Sequence, residues 1–224
     1  MKNSVEYKGT YTDHLGIIEI VIHSDYTYLH TEIGGVQFSG REFSDLTISD
    51  ESSYTNEQLE RFTFLNTNGE NSLCDCAFSI TIPQILFTPK DHSEFTITLE
   101  LKYTLGNVRE DRRGGLKLET ADLSTDIKGV HYQATADYME DALNDIQRQF
   151  NAKFYFKNCF NCSFGDYSVF GNSGFGDMRC FVSQKQKFLE VQNKNDFIEL
   201  ENDAVRVQEI YCCDKFESKG CVSL

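Results

Sequence analysis

From Glu94 to Tyr103 the chain alternates strictly, with Phe95, Ile97, Leu99, Leu101 and Tyr103 on one side and Glu94, Thr96, Thr98, Glu100 and Lys102 on the other. Successive side chains of a strand point to opposite faces, so this run reads as a strand with one dry and one wet face. Cys74, Cys76, Phe78, Ile80 and Ile82 alternate in the same way with Asp75, Ala77, Ser79 and Thr81. Strands of this kind build an antiparallel sheet with one apolar face, not a sheet wrapped by helices on both sides. Pro83, which lacks an amide hydrogen, is expected to weaken or end the second run. Sharing one buried face, Cys74 and Cys76 read as small core residues rather than a metal or redox pair.

Other segments extend the sheet. Gly16 to Ile22 is β-branched, His23-Ser24-Asp25 turns it, and Tyr26 to Ile33 forms the next strand. Gly34-Gly35 permits the positive φ angles of a tight hairpin into Val36-Gln37-Phe38. Tyr7 and Tyr11 open this meander. Glu57 to Leu65 fits a short helix or a strand, and Asn66 to Asn71 is an Asn-Gly turn. Leu116 to Glu119 and Val130 to Gln133 read as short strands around a turn at Lys128-Gly129.

The period then changes. Met139, Leu143, Ile146 and Phe150 recur at helical spacing, with Asp137 as the expected cap and Glu140 completing a capping-box pattern. Lys153 to Lys157 is a short strand leading to Cys159. Phe188 to Val191, Phe197 to Leu200 and Val205 to Cys213 are expected as short, mostly extended elements. The reading is an α+β protein, mainly antiparallel sheet, with one clear helix and a zinc-stapled C-terminal region. Residues 1–134 form the β-rich part, and residues 135–224 hold the helix and a cysteine knuckle, packed with the first part as one unit.

The knuckle is Cys159 to Phe181, which holds three cysteines and four glycines. Two thiolates at C-x2-C spacing can bind one ion from a tight turn, and Cys180 can return to supply a third ligand. Cys212 or Cys213 offers the fourth. Phe164, Tyr167, Phe170 and Phe175 are placed to keep water from the thiolates, while Gly165, Gly171, Gly174 and Gly176 supply turns. Asp166, Tyr167 and Asp177 are turn residues or partner contacts. A catalytic zinc keeps an open position and usually a His or carboxylate ligand. The five histidines all lie outside the knuckle, and no H-E-x-x-H, phosphate loop or G-x-S-x-G elbow is present.

A formal net charge of −14 argues against a nucleic-acid binder, whose surface needs clustered cations. The one basic cluster, Lys102, Arg109, Arg112, Arg113 and Lys117, is too short to reverse that. No segment has the roughly 20 apolar residues of a membrane span, and the polar start lacks a signal peptide, so a cytoplasmic protein is expected. In a reducing compartment zinc accounts for the C-x2-C pair better than disulfides do.

One pattern resembles a bacterial family of unknown function. It comprises the C-x2-C pair, Asp166-Tyr167 with Gly171, Phe175-Gly176-x-Met178-x-Cys180-Phe181, and Gln208-Glu209-x-Tyr211-x-Cys213-x-x-Phe216-Glu217. The similarity is best from Asp137 to Glu217, and Tyr7 to Gly16 fits its start loosely. The Y-x-C-x-x-F spacing implies Cys213 as the fourth ligand. That leaves Cys212 as a core or surface thiol and Cys221 as a tail residue.

These features point to a non-enzymatic, zinc-stabilised interaction protein, immunity- or antitoxin-like, with a basic protein partner and neither nucleic acid nor membrane. The alternatives are a zinc-dependent hydrolase or thiol enzyme, and a β module binding a small ligand in its aromatic interior. Nothing in the sequence sets the oligomeric state.

Overall fold

The computed structural model describes residues 4–67, 69–111, 114–169 and 175–219. Asn68, Arg112, Arg113, Phe170, Gly171, Gly174 and Cys221, named above, lie outside the described residues. The main sheet comprises β1 (Val5–Asp13), β2 (Gly16–Ser24), β3 (Leu29–Ile33), β4 (Val36–Gly40), β5 (Thr47–Ile48), β6 (Thr63–Thr67), β7 (Glu70–Cys74), β8 (Cys76–Phe87), β9 (Glu94–Leu105), β10 (Glu119–Ile127) and β11 (Val130–Ala136). Its order is β11-β10-β9-β8-β1-β2-β3-β4-β5-β7-β6, with each neighbouring pair antiparallel.

Two-residue turns set the register at both hairpins that the sequence marks. Gly34 and Gly35 have φ of 57° and 84° between the paired Ile33 and Val36. Lys128 and Gly129 have φ of 51° and 81° between Ile127 and Val130. Positive φ at both central positions gives the twist that antiparallel strands need.

The inner face buries Tyr7, Tyr11, Ile22, Phe78, Ile82, Leu99, Leu101, Tyr103 and Leu123. Each large apolar side chain removed from water contributes about 1.5–3 kcal/mol. The helix α2 (Met139–Gln149) lays Met139, Ala142, Leu143 and Ile146 against β10 and β11, and Phe150 follows them into the core. Its N-cap is Tyr138, with no side-chain cap bond, so Asp137 stands one residue too early for the expected capping box. Glu140 and Asp141 still favour the positive end of the helix dipole.

Several expectations are corrected. Cys74 and Cys76 are both buried but lie on separate strands, because Asp75 at φ 52° breaks the run between β7 and β8. The ambiguous stretch from Glu57 divides between α1 (Asn56–Leu59), capped by Thr55, and β6. Leu116 makes only an isolated bridge with Val108, and β10 starts at Glu119. The stretches at Phe188 and Phe197 fall in helices, α3 (Lys185–Leu189) and α4 (Lys194–Glu201), so the described residues hold four α-helices. The Asn193 side chain caps α4 by accepting from the Asn195 and Asp196 amides.

Pro83 does not end its strand. β8 pairs with β9 along its whole length, while its other edge takes β1 at Ala77–Ile80 and β12 (Tyr155–Phe156) at Leu86 and Phe87. The Lys157 N–H donates to the Ile85 carbonyl, so Ile85 and Pro83, two residues apart, both turn their backbone polar groups to that second edge. The missing N–H therefore faces the gap between β1 and β12. A small second sheet, β13 (Gly165–Asp166), β14 (Met178–Cys180) and β15 (Val205–Val207), lies in the cysteine region. Beside it Cys162, Phe164, Phe181, Phe197 and Leu200 form a separate apolar cluster, with Phe188 stacked on Phe181 at 4.7 Å.

Candidate metal centre

The four cysteines predicted as ligands are carried by three segments. The first is a single 3-10 turn, Cys159–Asn161, capped by Asn158 and closed by the Cys162 N–H donating to the Cys159 carbonyl at 3.2 Å. Cys159 is 3% exposed and Cys162 is also buried. The second is β14, where Cys180 pairs with Gly165. A side chain at Gly165 would strike the Cys159 carbonyl, so only glycine lets β13 pass this close to the turn. The third is the segment after β15. The Cys159 N–H donates to the Tyr211 carbonyl at 2.9 Å and the Phe160 N–H to the Glu209 carbonyl at 3.0 Å, which lays this segment along the turn.

Cys213 follows at once, its sulfur accepting the Lys215 N–H at 3.3 Å. The extended run expected from Val205 to Cys213 ends at Val207, and Glu209-Ile210 turns the chain. Burial pushes the Cys159 thiol well above its ordinary range, and negative charge on Cys180, Cys162 and Cys213 pushes it further. Cys180, Cys162 and Cys213 thus each lie near enough to Cys159 for charge on them to act on it. Gathered thiolates repel, and a divalent cation among them would reverse that sign. Among the described residues, no group of three or more His, Cys, Asp or Glu is drawn in to ligand distance.

Cys212 faces elsewhere. Its thiol lies 3.7 Å from the Ile210 carbonyl and is raised chiefly by burial. Burial likewise raises Cys74 to about 11 and Cys76 to about 12, so both remain neutral thiols.

The other predicted residues divide. Asp166 is exposed and accepts the Tyr167 N–H at 2.9 Å. The Tyr167 hydroxyl donates to Glu209 Oε1 at 3.1 Å, while Glu209 Oε2 accepts the Gly176 N–H at 2.8 Å. Glu209 is completely buried, and that burial raises it to about 8. Asp177 pairs with Arg206 at 3.5 Å. Phe164 sits with Cys162 in the small cluster, whereas Phe175 joins the main core against Phe43 at 5.3 Å.

One buried amide, Gln84, stands out although no motif marks it. Gln84 Oε1 accepts from Asn158 Nδ2 at 2.8 Å, and Gln84 Nε2 donates to the Ile210 carbonyl at 2.9 Å. Gln84 occupies the inward position after Ile82, so a polar residue continuing an apolar alternation was the available signal. Gln208 ties the same segment to the sheet, accepting from Ser24 Oγ at 2.7 Å, and Tyr211 packs on Tyr26 with ring centroids 4.4 Å apart.

Neither the curated proteins nor the solved structures give a match to this chain. A family model matches residues 5–165, a span that includes the main sheet, α2, Cys159 and Cys162 and ends before the motif residues from Asp166 onward. The chain belongs to the Family of unknown function (DUF6304).

Proposed function

We propose that this chain is a non-enzymatic, cytoplasmic interaction protein whose C-terminal region is held by one structural zinc on Cys159, Cys162, Cys180 and Cys213. The observation that supports this reading is that three segments joined by backbone hydrogen bonds carry those cysteines, with Cys162, Cys180 and Cys213 near enough to act electrostatically on Cys159. Four thiolates make a closed tetrahedral set, the chemistry of a staple. The buried carboxyl Glu209, whose charge acts on Cys159, is engaged by Tyr167 and Gly176. No helix among the described residues is long and apolar enough to cross a membrane.

A basic partner, as an immunity- or antitoxin-like protein would have, suits the charge of −14. A groove of 470 Å³ at α3 and α4 carries Glu190, Asp196, Glu199 and Asp203 against one Lys187. Affinity capture from the protein's own cells tests the reading. A basic protein should be recovered, released by salt, and lost with Cys213→Ser. An absent partner together with a water-exchangeable position on the metal would favour a hydrolase instead.

A further inference from the structure

We infer that Gln84, on the main sheet, is a positioning residue of the cysteine centre, setting the distance between the Cys159 turn and the Cys213 segment. This rests on the zinc reading above. Gln84 is 1% exposed and Asn158 is fully buried. The two ends of one amide hold two different pieces of the centre. Its oxygen takes Asn158 Nδ2, and Asn158 caps the turn that begins at Cys159. Its nitrogen gives a hydrogen to the Ile210 carbonyl, three residues before Cys213.

The scaffold beneath is rigid at this point. Gln84 pairs with Ile97 within the β8–β9 ladder, three pairs from its end, and the Lys157 N–H fixes the neighbouring Ile85 carbonyl. A tetrahedral thiolate site requires its ligands to be held to a few tenths of an ångström, and the groups that orient ligands are commonly the ones around them. A Leu or Met at position 84 would satisfy the apolar alternation of β8 yet leave Asn158 Nδ2 buried without its acceptor and the Ile210 carbonyl with only the weak Cys212 thiol. A glutamine at this depth is therefore explained by what its two ends hold.

The experiment measures zinc dissociation constants by competition with a chromophoric chelator, on reduced full-length protein. Gln84→Met should weaken zinc about tenfold, as loss of an orienting partner typically does. Ile82→Val, one inward position earlier on the same strand, reports the effect of core destabilisation alone and should stay within about twofold of wild type. With cobalt(II) in place of zinc, Gln84→Met should also lose intensity in the tetrahedral d–d bands, which Ile82→Val should keep. If Gln84→Met does not fold, Asn158→Asp serves, because it keeps the cap oxygen but cannot donate to Gln84, and it should show the same weakening. Wild-type affinity and cobalt spectrum in both variants would overturn the inference while leaving the zinc reading intact. A wild-type protein that binds no zinc would overturn both.

Discussion

The Tyr167 hydroxyl donates to Glu209 Oε1 at 3.1 Å, joining the loop after the second cysteine to the segment before the fourth. The other carboxyl oxygen of Glu209 accepts the Gly176 N–H, so one buried side chain ties together three stretches of the cysteine region. Tyr167→Phe removes one bond and leaves a buried oxygen unpaired. It should cost about 1–3 kcal/mol by chemical denaturation. A loss well under that would mean Glu209 finds another donor.

The same burial predicts a pH dependence. Glu209 and Glu42 are each raised from 4.5 to about 8, both chiefly by desolvation, with the charge of Asp177 adding to Glu42. The fold keeps these protons up to about pH 8, whereas the unfolded chain releases them near 4.5. Between those values the folded state binds more protons, so their contribution falls as pH rises and levels off above 8. Denaturation midpoints compared at about pH 6 and about pH 8.5 should fall less in Glu209→Gln than in wild type. Equal falls would contradict the assignment.

Adjacent cysteines separate the roles at the centre. Cys213 counts among the charges acting on Cys159, while Cys212 lies against the Ile210 carbonyl. Cys213→Ser should lower zinc content and melting temperature together, because metal binding is coupled to folding. Cys212→Ser should change both little. The reverse result would move the fourth ligand to Cys212.

Gly9 in β1 faces Ile80 of β8 across the strand pair, where an added methyl would run into the Ser79 carbonyl and lie 2.8 Å from the Ile80 Cα. Backbone cannot yield as a flexible side chain would. Gly9→Ala should destabilise by at least about 3 kcal/mol or prevent folding, measured as the urea midpoint. A midpoint near wild type would show that β1 and β8 can separate at this point without cost.

The sheet was legible because alternation is a local property. Phe95 to Tyr103 needs no knowledge of its neighbours to declare a face. What alternation conceals is a change of backbone direction: Cys74 and Cys76 are both buried, yet Asp75 at φ 52° places them on different strands. Helices α3 and α4, of 5 and 8 residues, are too short to display a period, and only the Asn193 cap marks α4. The cysteines could be chosen by type and spacing. Their setting could not, since Gln84 lies 74 residues before Asn158 and 126 before Ile210, and such contacts exist only in the folded chain.

Elemental analysis of protein purified under reducing conditions reads the zinc on the four cysteines without any variant. About one zinc per chain should be found, lost together with thermal stability on chelation. Protein that carries no zinc, with Cys159 and Cys162 joined in a disulfide, would contradict it.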